Sequence, residues 1–136
     1  MTEGFYRART DGASRGNPGP AAIGVSIENS DGKEVASASE AIGETTNNVA
    51  EYSALIKALD LLIELGATRA VVLLDSELIV RQLRGQYRVR NPRMKEFYAQ
   101  VQSLLPRFRE IHFRHIPREE NTRADALANE ALDRDL

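Results

Sequence analysis

The sequence contains no cysteine, no tryptophan and only two histidines among its 136 residues. Without cysteine, neither a disulfide nor a thiolate metal site can stabilise the chain, and His112 and His115 alone do not form the usual zinc site. No apolar run approaches the roughly 18 residues of a membrane span, and the N-terminus lacks the apolar core of a signal peptide. We therefore expect a cytoplasmic protein with no membrane partner.

The charge of the chain is nearly balanced, with a net value of −2. Bulk charge therefore does not indicate a nucleic-acid-binding protein, but its distribution is uneven. Residues 81–95, called the basic segment below, contain no acid and six basic residues: Arg81, Arg84, Arg88, Arg90, Arg93 and Lys95. Such a segment can follow phosphates, although a solvated helix face is the alternative interpretation.

The length and composition are those of one globular domain, spanning residues 1–136, and we expect a monomer. Hydrophobic periodicity and turn residues predict the order β-β-β-α-β-α-α-β-α, an α/β fold with a five-stranded mixed sheet and helices on both faces. The strands are predicted at 5–10, 21–28, 33–42, 69–74 and 108–116, and the helices at 47–65, 76–83, 92–105 and 122–132. Residues 11–20 are predicted as a Gly-rich loop.

Four acids lie where the chain changes structure. Asp11 follows the first strand, Glu51 is on the apolar side of a helix, Asp75 directly follows a buried strand and Asp125 begins the last helix. Each has an ordinary alternative role as a turn former, a rim residue or a helix cap. Converging carboxylates repel one another unless a cation neutralises them. Together the acids predict a site for Mg²⁺ or Mn²⁺, which prefer oxygen ligands.

Four sequence blocks carry a family resemblance: residues 11–20 (DGASRGNPGP), 45–51 (TTNNVAE), 74–76 (LDS) and 120–125 (ENTRAD). With these blocks the chain resembles type 1 ribonuclease H over residues 5–133, in a compact subgroup that lacks the family's basic protrusion. The resemblance implies a ribonuclease H-like fold and hydrolysis of the RNA strand of RNA/DNA hybrids. It also implies two metal ions in the working complex and products with 5′-phosphate and 3′-hydroxyl ends.

The resemblance assigns roles to individual residues. The catalytic metal-binding acids are Asp11, Glu51, Asp75 and Asp125. The implied hybrid-contacting residues are Gly12, Ala13, Ser14, Asn17, Asn47 and Asn48, with Glu77 at a position where many members carry glutamine. Asn47 and Asn48 are also candidate helix caps.

Two features leave alternatives open. The family often has a mobile histidine in the loop before the last acid. Here one alignment assigns that role to His115, whereas the alignment that we favour puts Arg118 in the loop and His115 on the strand. Glu77 and the missing protrusion leave open a nuclease of the same fold that also cuts double-stranded RNA. A module that binds hybrids without cutting them is the other alternative.

Overall fold

The computed structural model describes residues 4–134, which include a five-stranded sheet with the strand order β3-β2-β1-β4-β5. The strands are β1 (Tyr6–Ser14), β2 (Gly19–Glu28), β3 (Glu34–Thr45), β4 (Arg69–Leu74) and β5 (Glu110–His115). The first three strands pair antiparallel, whereas β4 pairs parallel with both β1 and β5. The predicted five-stranded mixed sheet is thus confirmed.

Residues 4–134 form four α-helices: α1 (Asn47–Glu64), α2 (Glu77–Leu83), α3 (Pro92–Leu104) and α4 (Thr122–Arg134). Two short 3-10 helices, Leu105–Arg107 and Arg118–Glu120, flank β5. Within residues 4–134, none of these helices combines the length and apolar character that crossing a membrane requires.

Two glycines show how closely helices approach the two faces of the sheet. A Cβ atom on Gly12 of β1 would lie 2.2 Å from the Ala50 carbonyl carbon of α1. On β2, a Cβ atom on Gly24 would lie 2.0 Å from the Ala124 carbonyl oxygen of α4. Gly24 pairs with Asp11, the neighbour of Gly12, and successive strand residues face opposite sides of a sheet. Helices α1 and α4 therefore cover opposite faces, and each contacts the sheet backbone where a side chain is absent.

The main core lies between the sheet and α1. Tyr52, Leu55, Leu59 and Leu62 of α1 are almost fully buried there. A small second cluster lies between β2 and α4 and consists of Ala22, Ala131 and Leu132. Asp11, Glu51 and Asp125 lie on the strand and the two helices that enclose these clusters.

The predicted loop over residues 11–20 is wrong at both ends, because β1 continues to Ser14 and β2 begins at Gly19. Strand β1 continues through Asp11 to Ser14, because Asp11 pairs with Gly24 and Ser14 pairs with Ala21 in the ladder with β2. The residues Gly12, Ala13 and Ser14 favour a turn locally, but tertiary pairing overrides this weak preference. Asp11 therefore lies within a strand, which fixes its backbone more firmly than a loop would.

The predicted helix cap at Asn47 or Asn48 is also wrong. Thr46 is the N-cap of α1, and its hydroxyl accepts a hydrogen bond from the Val49 backbone N–H at 3.3 Å. Strand β3 extends to Thr45, three residues beyond its predicted end, with an irregular register opposite Ala21 and Ala22. The two asparagines are consequently the first residues of the helix, and their side chains remain free of the capping role.

Candidate active site

Three acids meet at one end of the sheet. Asp11 comes from β1, Glu51 from the second turn of α1, and Asp75 from the residue that follows β4. One carboxylate oxygen of each lies within 4.8 Å of the others. Asp11 and Glu51 are buried, with 6% and 8% of their surfaces exposed, while Asp75 is partly exposed. The cluster is therefore open to solvent on the side of Asp75.

The fourth predicted acid, Asp125, lies in the first turn of α4 next to this group. It is not one of the three acids that share the 4.8 Å spacing, but it lies near enough to Asp11 to contribute to the raised pKa of that carboxyl. Its own carboxylate receives the Asn129 side-chain N–H at 3.3 Å. The structure thus brings together all four acids, with three in the tight group and Asp125 beside it; they are called the acid cluster below.

Ionisation of the buried carboxylates in the acid cluster is unfavourable when no cation is bound. Burial raises the pKa of Asp11 to about 9, with further increases from the charges of Glu51 and Asp75 and from hydrogen bonding with Asp125 and Glu51. Burial likewise raises the pKa of Glu51 to about 7, against the opposing effect of the hydrogen bond from the Gly12 backbone. Asp11 interacts with each of the other three acids and is therefore central. A cation would relieve these repulsions, because it stabilises the ionised carboxylates.

One oxygen of Glu51 supports a metal-binding role. Glu51 Oε1 accepts the Gly12 backbone N–H at 3.0 Å, whereas Oε2 is buried and has no partner among the described residues. A buried carboxylate oxygen without a partner is costly unless a proton or a cation occupies it. The three acids offer only oxygen ligands, which suit hard divalent ions. This group could therefore hold a metal ion.

The predicted hybrid-contacting residues lie around the N-terminus of α1. The Asn17 side-chain oxygen accepts the Asn47 backbone N–H at 3.1 Å, which ties the β1–β2 loop to the start of the helix. Asn17, Asn47 and Asn48 are exposed. The Asn17 amide N–H groups and both other amide side chains have no partner among the described residues, so they remain available to donate and accept. Gly12 is buried, and Ala13 and Ser14 are partly exposed.

The alignment that places His115 on a strand agrees with the structure. His115 is the last residue of β5 and lies opposite Leu74, whereas Arg118 begins the 3-10 helix in the following loop. Both residues are exposed, and the Arg118 side chain makes no hydrogen bond or ion pair with any residue in 4–134. His115 lines a cleft of about 240 Å³ with residues of α2. The role of either residue stays a prediction.

Glu77 is not a free acid. Its Oε1 atom accepts two contacts from the Arg81 guanidinium, each at 2.9 Å. Its charge is therefore balanced within α2, although both side chains remain largely exposed. The predicted contact of Glu77 with substrate stays a prediction, but the pair weakens the expected repulsion of phosphate.

The basic segment divides into engaged and free charges. Arg81 is paired with Glu77 and lies over the Tyr87 ring, 5.3 Å from its centre. Arg84 donates to the Phe113 carbonyl oxygen of β5 through Nε at 3.1 Å and Nη2 at 2.9 Å. The remaining four side chains are exposed and make no ion pair with residues 4–134: Arg88, Arg90, Arg93 and Lys95. These four are free to contact phosphates.

Asn121 is a site residue to which the sequence argument gave no role. It is fully buried between the second 3-10 helix and α4, and its side chain contacts Asp75. Its place in the 120–125 block was the only available signal, because an asparagine before a helix is most simply a cap.

Comparisons with known proteins agree with this geometry. The model of a family described as reverse transcriptase-like matches residues 9–131. Ribonuclease H of Halorhodospira halophila is 34% identical in an alignment 149 residues long, which covers 98% of this chain and 97% of that protein. The chain belongs to the ribonuclease H family. The ribonuclease HI of Halobacterium salinarum is a more similar member, 45% identical over 130 residues, which cover 96% of this chain and 65% of that protein.

Solved structures of the family confirm the predicted ribonuclease H-like fold. The RNase H1 of Halobacterium salinarum superimposes with a TM-score of 0.93 and 44% identity, covering 96% of this chain and 99% of that one. An LC11-RNase H1 in complex with an RNA/DNA hybrid has a TM-score of 0.88 and 47% identity, covering 95% and 97%. The chain spans about a third of the bifunctional protein of Mycobacterium tuberculosis, to which it is 49% identical over 124 residues.

Proposed function

We propose that the chain is a metal-dependent endoribonuclease that hydrolyses the RNA strand of RNA/DNA hybrids and leaves 5′-phosphate and 3′-hydroxyl ends. The observation that carries the proposal is the convergence of Asp11, Glu51 and Asp75, whose carboxylate oxygens lie within 4.8 Å of one another. A related LC11-RNase H1 with 47% identity has been solved with an RNA/DNA hybrid bound. A module that only binds hybrids would have no need for three repelling acids at this spacing.

We propose that Mg²⁺ or Mn²⁺ is the cofactor, with two ions in the working complex. Asp11, Glu51 and Asp75 would hold the metal, with Asp125 as an additional ligand beside Asp11. Bound divalent ions supply the activation of the attacking water and the stabilisation of the leaving 3′-oxygen. The protein residues hold the ligands in place, and no serine or cysteine nucleophile is required.

Recognition of the hybrid is assigned to the amides at the start of α1. Asn17, Asn47 and Asn48 carry side-chain groups that can both donate and accept, and the minor groove of an A-form-like duplex presents 2′-hydroxyls and base edges. Contacts to the 2′-hydroxyl distinguish RNA from DNA. The backbone around Gly12, Ala13 and Ser14 would complete this surface. The free charges of the basic segment would follow phosphates on another part of the duplex.

Arg118 is proposed as the auxiliary residue in the loop before α4. Its guanidinium cannot act as a general base, because it stays protonated, but it can stabilise phosphate charge or assist release of the product. His115 is the alternative for this role, from the end of β5. We also propose that residues 1–136 form one ribonuclease H domain that works as a monomer in the cytoplasm.

The test is cleavage of an end-labelled RNA/DNA hybrid, with double-stranded RNA in parallel, in Mg²⁺ and in Mn²⁺. Wild type should cut the RNA strand of the hybrid, and EDTA should stop cleavage. Asp75→Asn should abolish cleavage, whereas Asp60→Asn, which changes an exposed acid on the same helix as Glu51, should not. Cleavage of the double-stranded RNA would broaden the substrate class to duplexes in general.

The proposal fails if a folded wild type cuts neither substrate in either metal. Hybrid affinity in EDTA would then decide whether the chain is a binding module, the alternative that needs no metal.

A further inference from the structure

Asn121 contacts three of the segments that carry the acids. Its Nδ2 atom donates to the Thr10 carbonyl oxygen at 2.8 Å, next to Asp11, and to Asp75 Oδ2 at 3.2 Å. Its backbone carbonyl oxygen accepts the Asp125 backbone N–H at 3.1 Å in the first turn of α4. One buried residue thus links β1, the end of β4 and the start of α4.

Capping of α4 does not explain the burial of this side chain. Asn121 has no exposed surface, and its Oδ1 atom has no hydrogen-bond partner among the described residues. A buried acceptor without a partner reduces stability. By comparison, the Thr46 cap of α1 is only partly buried, and its side-chain oxygen accepts the capping hydrogen bond from the Val49 backbone N–H. The hydrogen bonds that the amide donates must therefore offset this cost. One of them goes to the Asp75 carboxylate, which belongs to the acid cluster.

The chemistry of the contact requires an uncharged double donor. One N–H of the amide is used by the Thr10 carbonyl and the other by Asp75, so both hydrogens are committed. An aspartate here would repel Asp75, and a serine or threonine has only one hydrogen to donate. A lysine would add a charge that competes with a cation. Among residues of this size, asparagine alone meets these requirements.

Asp75 depends on this donor more than the other acids depend on theirs. It lies in the short connection between β4 and α2, so no regular element fixes its side chain. Among residues 4–134, no other group donates a hydrogen bond to its carboxylate. Glu51, by contrast, extends from the middle of a packed helix and is fixed by the Gly12 backbone N–H.

We infer that Asn121 is a positioning residue, which ties Asp75 Oδ2 to β1 and so fixes the orientation of the Asp75 carboxylate toward the metal site. The inference rests on the proposed function, because it assigns Asp75 to the metal. Groups that orient metal ligands in this way commonly change metal affinity or activity by about 10- to 100-fold when they are removed.

The experiment compares Asn121→Ser, which keeps a small polar side chain and loses the amide, with wild type. Binding of Mn²⁺ alone is measured by calorimetry without nucleic acid, and kcat, KM and the Mn²⁺ concentration for half-maximal cleavage are measured with the hybrid. Asn121→Ser should weaken Mn²⁺ binding about 10-fold or more and lower kcat, while hybrid affinity in EDTA changes less than about twofold.

Asn29→Ala is the matched control. The Asn29 side chain accepts two backbone N–H bonds, from Asp31 and Lys33, in the β2–β3 turn at the other end of the sheet. Its loss should lower the melting temperature without moving the Mn²⁺ midpoint. Each variant is assayed at the same interval below its own melting temperature, so that lost stability is not mistaken for lost positioning.

Several outcomes would overturn the inference. They are an unchanged Mn²⁺ affinity in Asn121→Ser, an equal change in Asn29→Ala, and a loss confined to KM. If Asn121→Ser does not fold, Asn121→Asp, which keeps the side-chain volume and loses both donated hydrogens, replaces it; failure of both to fold would show a role in folding only. If wild type binds Mn²⁺ but does not cut hybrids, the proposed function fails while calorimetry still tests Asn121.

Discussion

The acid cluster and the basic segment are built in opposite ways. The acids come from four segments that are distant in the sequence, and two of them are buried in packed elements. The free basic side chains all lie within residues 88–95, and they are exposed and make no ion pair among residues 4–134. A reaction centre needs atoms fixed within a fraction of an ångström, whereas attraction of a polyanion needs only charge nearby. The difference predicts large effects at the acids and small, salt-dependent effects at the basic residues.

The largest effect is expected for Asp75→Asn, which removes the charge of a metal ligand without changing its size. We expect kcat on the hybrid to fall by on the order of 10³-fold, equivalent to about 4 kcal/mol. Circular dichroism should show an intact fold, and single-turnover cleavage measures the loss. Near-normal turnover in this variant would mean that the acid cluster is not the reaction centre.

The next effect concerns stability and pH in EDTA. The folded protein keeps a proton on Asp11, whose pKa is raised to about 9, whereas the unfolded chain releases it near its ordinary value of about 4. The folded state then binds more protons, so its stability falls as pH rises across this window. Glu51 adds to the fall in the lower part of the window, because its pKa is raised to about 7.

Asp11→Asn should therefore stabilise the metal-free protein at pH 8, by on the order of 2 kcal/mol, and flatten its pH dependence. Urea unfolding between pH 5 and pH 8 gives the free energy of unfolding, with Asp60→Asn as the control that keeps the wild-type slope. If the free energy of unfolding of Asp11→Asn depends on pH as steeply as that of wild type, ionisation of Asp11 is not the cause of the pH dependence.

A smaller effect is expected in the loop before α4. Arg118→Ala should lower kcat about tenfold, through the loss of one charged contact to phosphate, and His115→Ala should lower it less. Steady-state kinetics on the same hybrid compare the two variants. If His115→Ala is the more damaged, the auxiliary role belongs to the end of β5.

The smallest effect is expected in the basic segment, where engaged and free charges can be compared. Arg88→Ala should weaken hybrid binding a few-fold and reduce the slope of log affinity against log salt by about one. Arg84→Ala should reduce that slope less, because two donors of this guanidinium are already used by the Phe113 carbonyl oxygen. Binding titrations in EDTA at several salt concentrations measure both. Equal slopes in the two variants would remove the distinction between free and engaged charges.

The element order could be predicted because it follows from local patterns, and the convergence of the acids was predicted from the cost of burying carboxylates together with the family resemblance. Asp75 follows a continuous apolar run, and Glu51 shares a helix face with Leu55 and Leu62, so burial could be inferred from periodicity. The extension of β1 through Asp11 could not be inferred, because residues 12–14 favour a turn until β2 pairs with them.

The role of Asn121 could not be predicted from the sequence, for a related reason. Its side-chain partners, Thr10 and Asp75, are 111 and 46 residues away along the chain. Contacts at such separation exist only after the sheet and α4 have assembled, so no local pattern reports them. Its capping position was visible, but its contact with an acid was not.

The close approaches at Gly12 and Gly24 affect how mutations and related sequences should be interpreted. A methyl group at either position would collide with backbone atoms and push a helix away from the sheet, and with it the segment that carries Glu51 or Asp125. A variant could thus retain the complete set of acids and still be inactive. A genome survey that counts only the acids would score such an allele as functional. Inspection of the two glycine positions, which take no part in the chemistry, would identify the defect.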